Sequence, residues 1–303
     1  MPKDLYDVAI IGCGPGGLQA AIHSASKKAK VIVFGKPRNS SLYKAHIANF
    51  CCSEKLISGK EMLEAGRKQA ESFDAVFLEE DIIETKNENK LFSLFTESGE
   101  TFTSRTLILS MGVARKKLRV KGENRLVGRG VSYCVDCDAN FYRGLDVAVV
   151  GNESAATTGA ITLLSYARTV YLICRKLMIT DTLYKQLRNS QVKVIQDTWV
   201  KEIIGTNDVE EVLLKNGETL KVNGIFVELG AKGALELAAN LGAMFDAETI
   251  SFIETNRKQE TNIPGLYAAG DITGQPWQIA KAVGEGCVAG IEATEYAKKL
   301  AKS

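Results

Sequence analysis

The sequence predicts an α/β protein of two similar domains, the second inserted into the first, and three observations carry that prediction. DVAIIG at 7–12 returns as DVAVVG at 146–151, and AKVIVFGK at 29–36 returns at the same 139-residue offset as RTVYLICR at 168–175. Each copy reads as a buried apolar strand, a turn that opens a helix, and a second apolar strand. That is the βαβ unit of a Rossmann-like, three-layer ββα domain, of the kind that binds a dinucleotide. Each copy is followed by short alternating strands. The tail beyond about residue 242 has no counterpart in the second half and is assigned back to the first. The chain is therefore expected to cross between domains near 113–118 and again near 240–246.

Taken in order, the first strand runs into Gly12-Cys13-Gly14-Pro15-Gly16-Gly17. The GxGxxG spacing directly after a strand and before a helix points to a pyrophosphate-binding turn. Gly12 permits the tight turn, Gly14 lets the backbone approach the phosphates, and Gly17 permits close helix–strand packing. The helix N-terminus beyond them favours phosphate charge. Cys13, inside the turn, reads as structural. The second strand ends VIVFGKP, with Gly35 where a ribose-binding acid usually stands. The adenosine end is then expected to be held differently, through backbone or Lys36. Residues 75–112 follow as short strands with a turn at Ser98-Gly99.

The chemical centre is Ser132-Tyr133-Cys134-Val135-Asp136-Cys137-Asp138. Two cysteines three residues apart can close a disulfide, and a helix start lowers a thiol pKa. Asp138 beside the pair is placed to move the proton that thiol–disulfide exchange requires. A zinc site would want two more ligands at matching spacing. Cys51 and Cys52 are adjacent instead, and His23 and His46 are the only histidines, so no metal is expected.

In the second copy the glycine-rich turn becomes GNESAA at 151–156, with Glu153 where the second glycine belongs. A side chain there blocks backbone approach. Its charge faces a pyrophosphate at a cost on the order of 4 kcal/mol per close pair at an effective dielectric near 20. The expectation is a retained fold with a lost ligand, so NADPH is not expected to bind. A second β meander carries a hairpin signal at Asn216-Gly217. The tail holds the small-residue strand Gly265-Leu-Tyr-Ala-Ala-Gly270-Asp271, whose carboxylate suits a cofactor hydroxyl, and a long helix from about Trp277 to Lys299.

Composition sets the class. Of 303 residues, 45% are apolar and 24% charged, which fits a soluble chain with buried cores. Lysine plus arginine number 38 against 36 for aspartate plus glutamate, so no global field points to nucleic acid or membrane. No apolar run approaches the ~20 residues of a membrane span, and the N-terminus lacks the regions of a signal peptide. A cytoplasmic location is expected. Seven cysteines are an odd number and no disulfide scaffold.

Together GCGPGG, LSMG at 109–112, SYCVDCD, VAVVG, and GLYAAGD followed by Gln278 and AVGEG resemble the low-molecular-weight thioredoxin reductases over nearly the whole chain. The resemblance implies FAD in the split domain, 1–114 with 242–303, and the redox disulfide in the central domain, 115–241. It gives the turn Gly12, Gly14, Pro15, Gly16 and Gly17 to the pyrophosphate, and Gly112, Gly270 and Asp271 to other FAD contacts. Asn49, Gln278 and Ile279 would stand near the flavin. Cys137 would be the flavin-side sulfur and Cys134 the one that exchanges with thioredoxin, with Asp138 as acid–base group and the enzyme a homodimer.

The departures form a pattern. The second glycine motif is GNES, and the 2′-phosphate motif is reduced to Cys174-Arg175-Lys176. Thr180 replaces a later arginine, and Arg38-Asn39-Ser40-Ser41 replaces a GGQ segment. This resembles the pyridine-nucleotide-independent branch, which includes the ferredoxin-dependent flavin thioredoxin reductases and the deeply rooted thioredoxin reductases. Reduced ferredoxin is the expected donor. The basic run Arg115, Lys116, Lys117, Arg119 and Lys121 is its expected docking patch. Three other readings stand beside this one: an NADPH-dependent reductase using Arg175 and Lys176, a dithiol oxidase passing electrons to oxygen, and a non-catalytic flavin-binding protein.

Overall fold

The repeat in the sequence is a repeat in space. In the computed structural model, which describes residues 5–51, 57–112, 117–133, 135–229, 233–247 and 252–302, Val8 pairs with Val31 and Val147 with Val170, both parallel. Those two pairs are related by the sequence offset itself. The hydrogen bonds at the strand ends repeat as well. Gly12 N–H donates to Phe34 O at 2.8 Å and Gly151 N–H to Ile173 O at 3.1 Å.

The chain divides into two compact units. Met1–Thr96, Glu100–Ala114 and Gly233–Ser303 form the first, and Arg115–Lys232 with the turn Glu97–Gly99 the second. The sequence places the return crossing at 240–246. The contacts place it at Gly233, because the helix Ala234–Asn240 packs Ala234, Leu237 and Ala238 into the first core. Its Leu237 carbonyl also accepts the Thr85 hydroxyl at 3.3 Å.

The first unit holds a seven-stranded sheet. Val76–Leu78, Val31–Phe34, Leu5–Ile11 and Thr101–Leu109 lie side by side and parallel, and Leu91–Thr96 and Ile82–Glu88 continue the sheet antiparallel. On the edge away from Leu5–Ile11, Thr101–Leu109 serves two neighbours: its first half pairs with Leu91–Thr96 and its last three residues pair parallel with Leu266–Ala268. The tail thus supplies the fifth parallel strand. Both faces are buried, Ala9, Ile11, Ile32 and Phe34 on one, Val8, Ile10, Val31 and Val33 on the other. This is why the strands read as continuous apolar runs. Residues 76–78 extend the parallel sheet and so leave the meander to the three strands that follow. The turn at Asn89 and Lys90, both at positive φ, joins the first two of these.

In the second unit five parallel strands lie in the order Lys193–Ile195, Thr169–Ile173, Asp146–Val150, Gly224–Val227, Val131–Ser132. A separate antiparallel sheet, Val200–Ile204, Glu211–Leu214 and Thr219–Lys221, turns at Asn216-Gly217. Among the described residues no helix is long and apolar enough to cross a membrane.

Two helices carry the first glycine turn. Pro15–Ser26 follows it, and the C-terminal helix Ile279–Leu300 lies against that helix at backbone distance. A Cβ on Gly286 would overlap Gly16 O, one on Gly290 would stand 2.5 Å from Ala20 O, and Ser24 Oγ donates to Gly290 O at 3.0 Å.

Candidate active site

In open parallel sheets, ligands bind beyond the carboxyl ends of the strands. In the first unit that edge brings together three segments far apart in sequence. Gly12, at φ +116°, lies so close to the strand end at Ser110 that a Cβ would overlap Ser110 O. Ser110 Oγ donates to Ala269 O at 3.0 Å, and a Cβ on Gly16 would stand 2.6 Å from the same Oγ. The turn, the LSMG segment and the strand before Asp271 therefore meet at one serine. Above them the surface is open: among the described residues nothing would lie within 4 Å of a Cβ on Gly14 or Gly112. Gly14 starts the helix Pro15–Ser26 with no side-chain cap, which leaves the first-turn N–H groups for an anion. Pro15 at the helix start has no N–H to lose there.

Gly270, at φ +93°, is clamped through both backbone groups. Its N–H donates to Glu285 Oε2 at 2.8 Å and its carbonyl accepts from Lys281 Nζ at 2.8 Å. Lys281 also donates to Thr273 Oγ1 at 2.8 Å and Glu285 Oε2 at 3.0 Å, so its three protons are all used. Asp271, which follows, is half-buried. Burial pushes its carboxyl up, Lys281 draws it back down, and Glu285 adds to the rise. Sequence reasoning named Asp271 but missed Lys281 and Glu285. Their i,i+4 spacing at the start of the helix was the available signal.

Asn49 and Gln278, both expected near a flavin, are brought together: Asn49 Nδ2 donates to Gln278 Oε1 at 3.2 Å. Ile279 opens the C-terminal helix beside them and packs on the small core of Leu18, Leu42, Ile47 and Leu63. Lys36 forms a 2.9 Å ion pair with buried Asp81. Gly35 adopts φ +145°, which side chains rarely take, and a Cβ there would also lie 3.2 Å from Cys13 Sγ. Burial pushes the Cys13 thiol up to about 12, which makes it an inert wall of the turn.

The redox motif leaves the fifth strand of the second sheet, Val131–Ser132, the place that Leu266–Ala268 and Asp271 hold in the first. Cys134 and the side chain of Cys137 lie outside the described residues. Around them, Val135–Asp138 forms one helical turn, and Ser132 Oγ donates to Asp138 Oδ2 at 2.6 Å. Tyr133 OH donates to buried Glu123 at 3.0 Å, which also accepts from the N–H groups of Leu118 and Arg119. Phe141, three residues past Asp138, is 76% exposed.

The second glycine turn keeps the close approach of its first glycine and changes the residues beyond it. A Cβ on Gly151 would overlap Glu228 O, and Glu153 stands at the N-cap of the helix Ser154–Leu163. The Arg175 N–H donates to Asn152 Oδ1 at 2.9 Å, and its guanidinium lies 4.9 Å from the centre of the Trp199 ring. Thr180, where an arginine was expected, caps the helix Asp181–Arg188 by accepting from Leu183 N–H at 3.4 Å. Among the described residues no group of three His, Cys, Asp or Glu is placed to hold a metal ion.

Residues 6–286 match the family model described as pyridine nucleotide-disulphide oxidoreductase. The thioredoxin reductase of Peptoclostridium litorale is 30% identical over 98% of this chain and 99% of its own. The atypical thioredoxin reductase TRi from Desulfovibrio vulgaris Hildenborough superposes with a TM-score of 0.81 at 34% identity, over 96% of this chain and 98% of that one. A ferredoxin-flavin thioredoxin reductase from Clostridium acetobutylicum superposes with a TM-score of 0.66 at 34% identity, over 99% of both chains.

Proposed function

The chain belongs to the pyridine nucleotide-disulphide oxidoreductases, among the thioredoxin reductases, and from that premise we propose that it is an FAD enzyme reducing thioredoxin through Cys134 and Cys137 with reduced ferredoxin, not NADPH, as donor. The first glycine turn fits the flavin nucleotide. Gly14 offers open backbone at an uncapped helix start, Gly12, Gly16 and Gly17 let the turn pack closely beneath it, and Asp271 offers a carboxylate at the next strand end. Gly112, Asn49, Gln278 and Ile279 would complete the site. Bound FAD supplies the electron pair that opens the disulfide.

The chain's own groups do the rest. Opening takes two electrons and two protons, and leaves Cys134 and Cys137 as a dithiol. Cys134, as thiolate, attacks the disulfide of thioredoxin, forms a mixed disulfide and expels one thiolate. Cys137 then attacks the Cys134 sulfur, closes the original bond and releases dithiol thioredoxin. Asp138, which accepts from the Ser132 hydroxyl, would move the proton at Cys137. The exposed ring of Phe141 supplies apolar contact for the incoming protein. By the same resemblance the enzyme is a cytoplasmic homodimer.

The observation that carries the donor is Glu153 at the start of the helix Ser154–Leu163. A carboxylate there occupies the position where a helix N-terminus would receive a dinucleotide phosphate. An anaerobic titration of the flavin absorbance tests it, with NADPH, NADH and then chemically reduced ferredoxin added in turn. Bleaching by ferredoxin and none by stoichiometric nicotinamide is expected. Prompt bleaching by NADPH would return the enzyme to the nicotinamide-dependent reading.

A further inference from the structure

The repeat puts one side chain in each unit directly after the fourth parallel strand. In the first it is Ser110, whose N–H donates to Ile11 O at 2.8 Å; in the second it is Glu228, whose N–H donates to Val150 O at 3.0 Å. Ile11 and Val150 are equivalent under the repeat, and so are Gly12 and Gly151, whose Cβ atoms would overlap Ser110 O and Glu228 O. Each side chain then turns toward the segment that follows the fifth strand. Ser110 Oγ donates to Ala269 O at 3.0 Å. Glu228 Oε1 accepts from the N–H of Val135, between the two cysteines, at 3.3 Å.

The serine is short and leaves the space beyond it open. The glutamate is 6% exposed, and Val135 is fully buried. Gly159, on the helix Ser154–Leu163, makes room for the arrangement: a Cβ there would stand 2.9 Å from Val135 Cγ2 and 3.9 Å from Glu228 Cγ. One position of the repeat thus ties the glycine turn to the strand before Asp271 in the first unit and meets the redox motif in the second.

We propose that Glu228 is a positioning residue of the redox motif, holding Val135, between the two cysteines in sequence, at the end of the central sheet, and that it carries a negative charge that sets the reduction potential of the pair. The proposal rests on the reading of Cys134 and Cys137 as the redox pair. A negative charge shielded from water acts more strongly on a thiolate formed in the same motif than it would in solvent. It opposes the helix start, which favours thiolate. Dithiols whose reduced form is stabilised are oxidants. By withholding that stabilisation, Glu228 keeps the pair reducing, the direction electrons must run to reach thioredoxin.

The test uses the full-length, flavin-loaded protein equilibrated in dithiothreitol redox buffers at pH 7. The disulfide fraction is read by thiol-labelling mass spectrometry of the peptide carrying Cys134 and Cys137. Glu228→Gln keeps an acceptor for Val135 and removes the charge. It is expected to shift the equilibrium at least tenfold toward the dithiol, a rise of about 30 mV for a two-electron couple, with the melting temperature unchanged. Glu228→Asp keeps the charge and withdraws it from Val135. It is expected to lower the melting temperature and hold the equilibrium within threefold of wild type. If the Gln variant does not fold, Glu228→Met, neutral and of similar length, carries the same expectation. An equilibrium constant within twofold of wild type for the neutral variant overturns the proposal, as do equal shifts for Gln and Asp. A wild-type chain that forms no Cys134–Cys137 disulfide in any buffer refutes the redox-pair reading itself, and the proposal with it.

Discussion

Residue by residue, the chain sorts its cysteines by environment. Cys13 and Cys174 are buried, and burial pushes their thiols up to about 12 and about 11. A thiol with a raised pKa stays protonated until the pH nears that value. At pH 8 the thiolate fraction is then roughly one in ten thousand for Cys13 and roughly one in a thousand for Cys174. Cys51 is exposed. Brief treatment of the native protein with iodoacetamide at pH 8 is therefore expected to label Cys51 and spare Cys13 and Cys174, as read by peptide mass spectrometry. Labelling of Cys13 at the rate of Cys51 would mean that the first glycine turn opens in solution. At the same scale Gly35 gains its explanation. It sits at positive φ against Cys13, and the second copy places Cys174 at its position, where the Cys174 N–H repeats the strand-end hydrogen bond by donating to Ile195 O at 3.0 Å.

At the scale of elements, two helices in backbone contact hold the first glycine turn. A Cβ on Gly286 would overlap Gly16 O, whereas one on Gly284, two residues earlier on the same helix, would meet nothing within 4 Å. Gly286→Ala must push the helices apart, an overpacking cost of about 1–3 kcal/mol. Gly284→Ala relieves the helix of an unhindered glycine and is worth up to about 1 kcal/mol in the opposite direction. Thermal unfolding of the pair of variants is expected to move the melting temperature down for the first and up for the second. Gly286→Ala is also expected to retain less FAD on gel filtration, because Gly16 lies in the turn that shifts. Equal melting temperatures would show that the helix contact is looser in solution than described.

On the scale of the whole molecule, the donor has to find a chain with almost no net charge. Long-range steering then depends on local clusters. In the basic run, Lys121 is paired with Glu202 at 2.7 Å and Lys117 donates to Asn124 at 3.1 Å, while Arg115 and Lys116 lie outside the described residues. Replacing Arg115, Lys116 and Lys117 by glutamate is expected to slow ferredoxin-driven thioredoxin reduction about tenfold at low salt and to remove its salt dependence. Turnover driven by dithionite serves as the control and should not change. Unchanged, salt-insensitive rates with ferredoxin would assign docking to another surface.

The sequence alone determined the two-unit α/β plan, because both faces of each parallel sheet are buried and the strands must be apolar throughout, so a duplicated unit leaves a duplicated pattern. It also marked the first glycine turn, the CxxC-Asp motif and the loss of the second glycine, since each depends on the type of residue at a fixed local spacing. The return crossing at Gly233 was not legible: the helix Ala234–Asn240 is apolar enough for either unit, and only the packing of its Leu237 and Ala238 into the first core assigns it. Nor could residue spacing show that the Lys281–Glu285 pair reaches back to clamp Gly270, or that Ser110 and Glu228 hold equivalent places. Those facts join residues up to about 160 positions apart, such as Ser110 and Ala269, through the ends of parallel strands. Sequence periodicity reports which face of an element is buried. Which buried groups meet at the carboxyl edge of a sheet is decided by strand order, and strand order exists only in the folded chain.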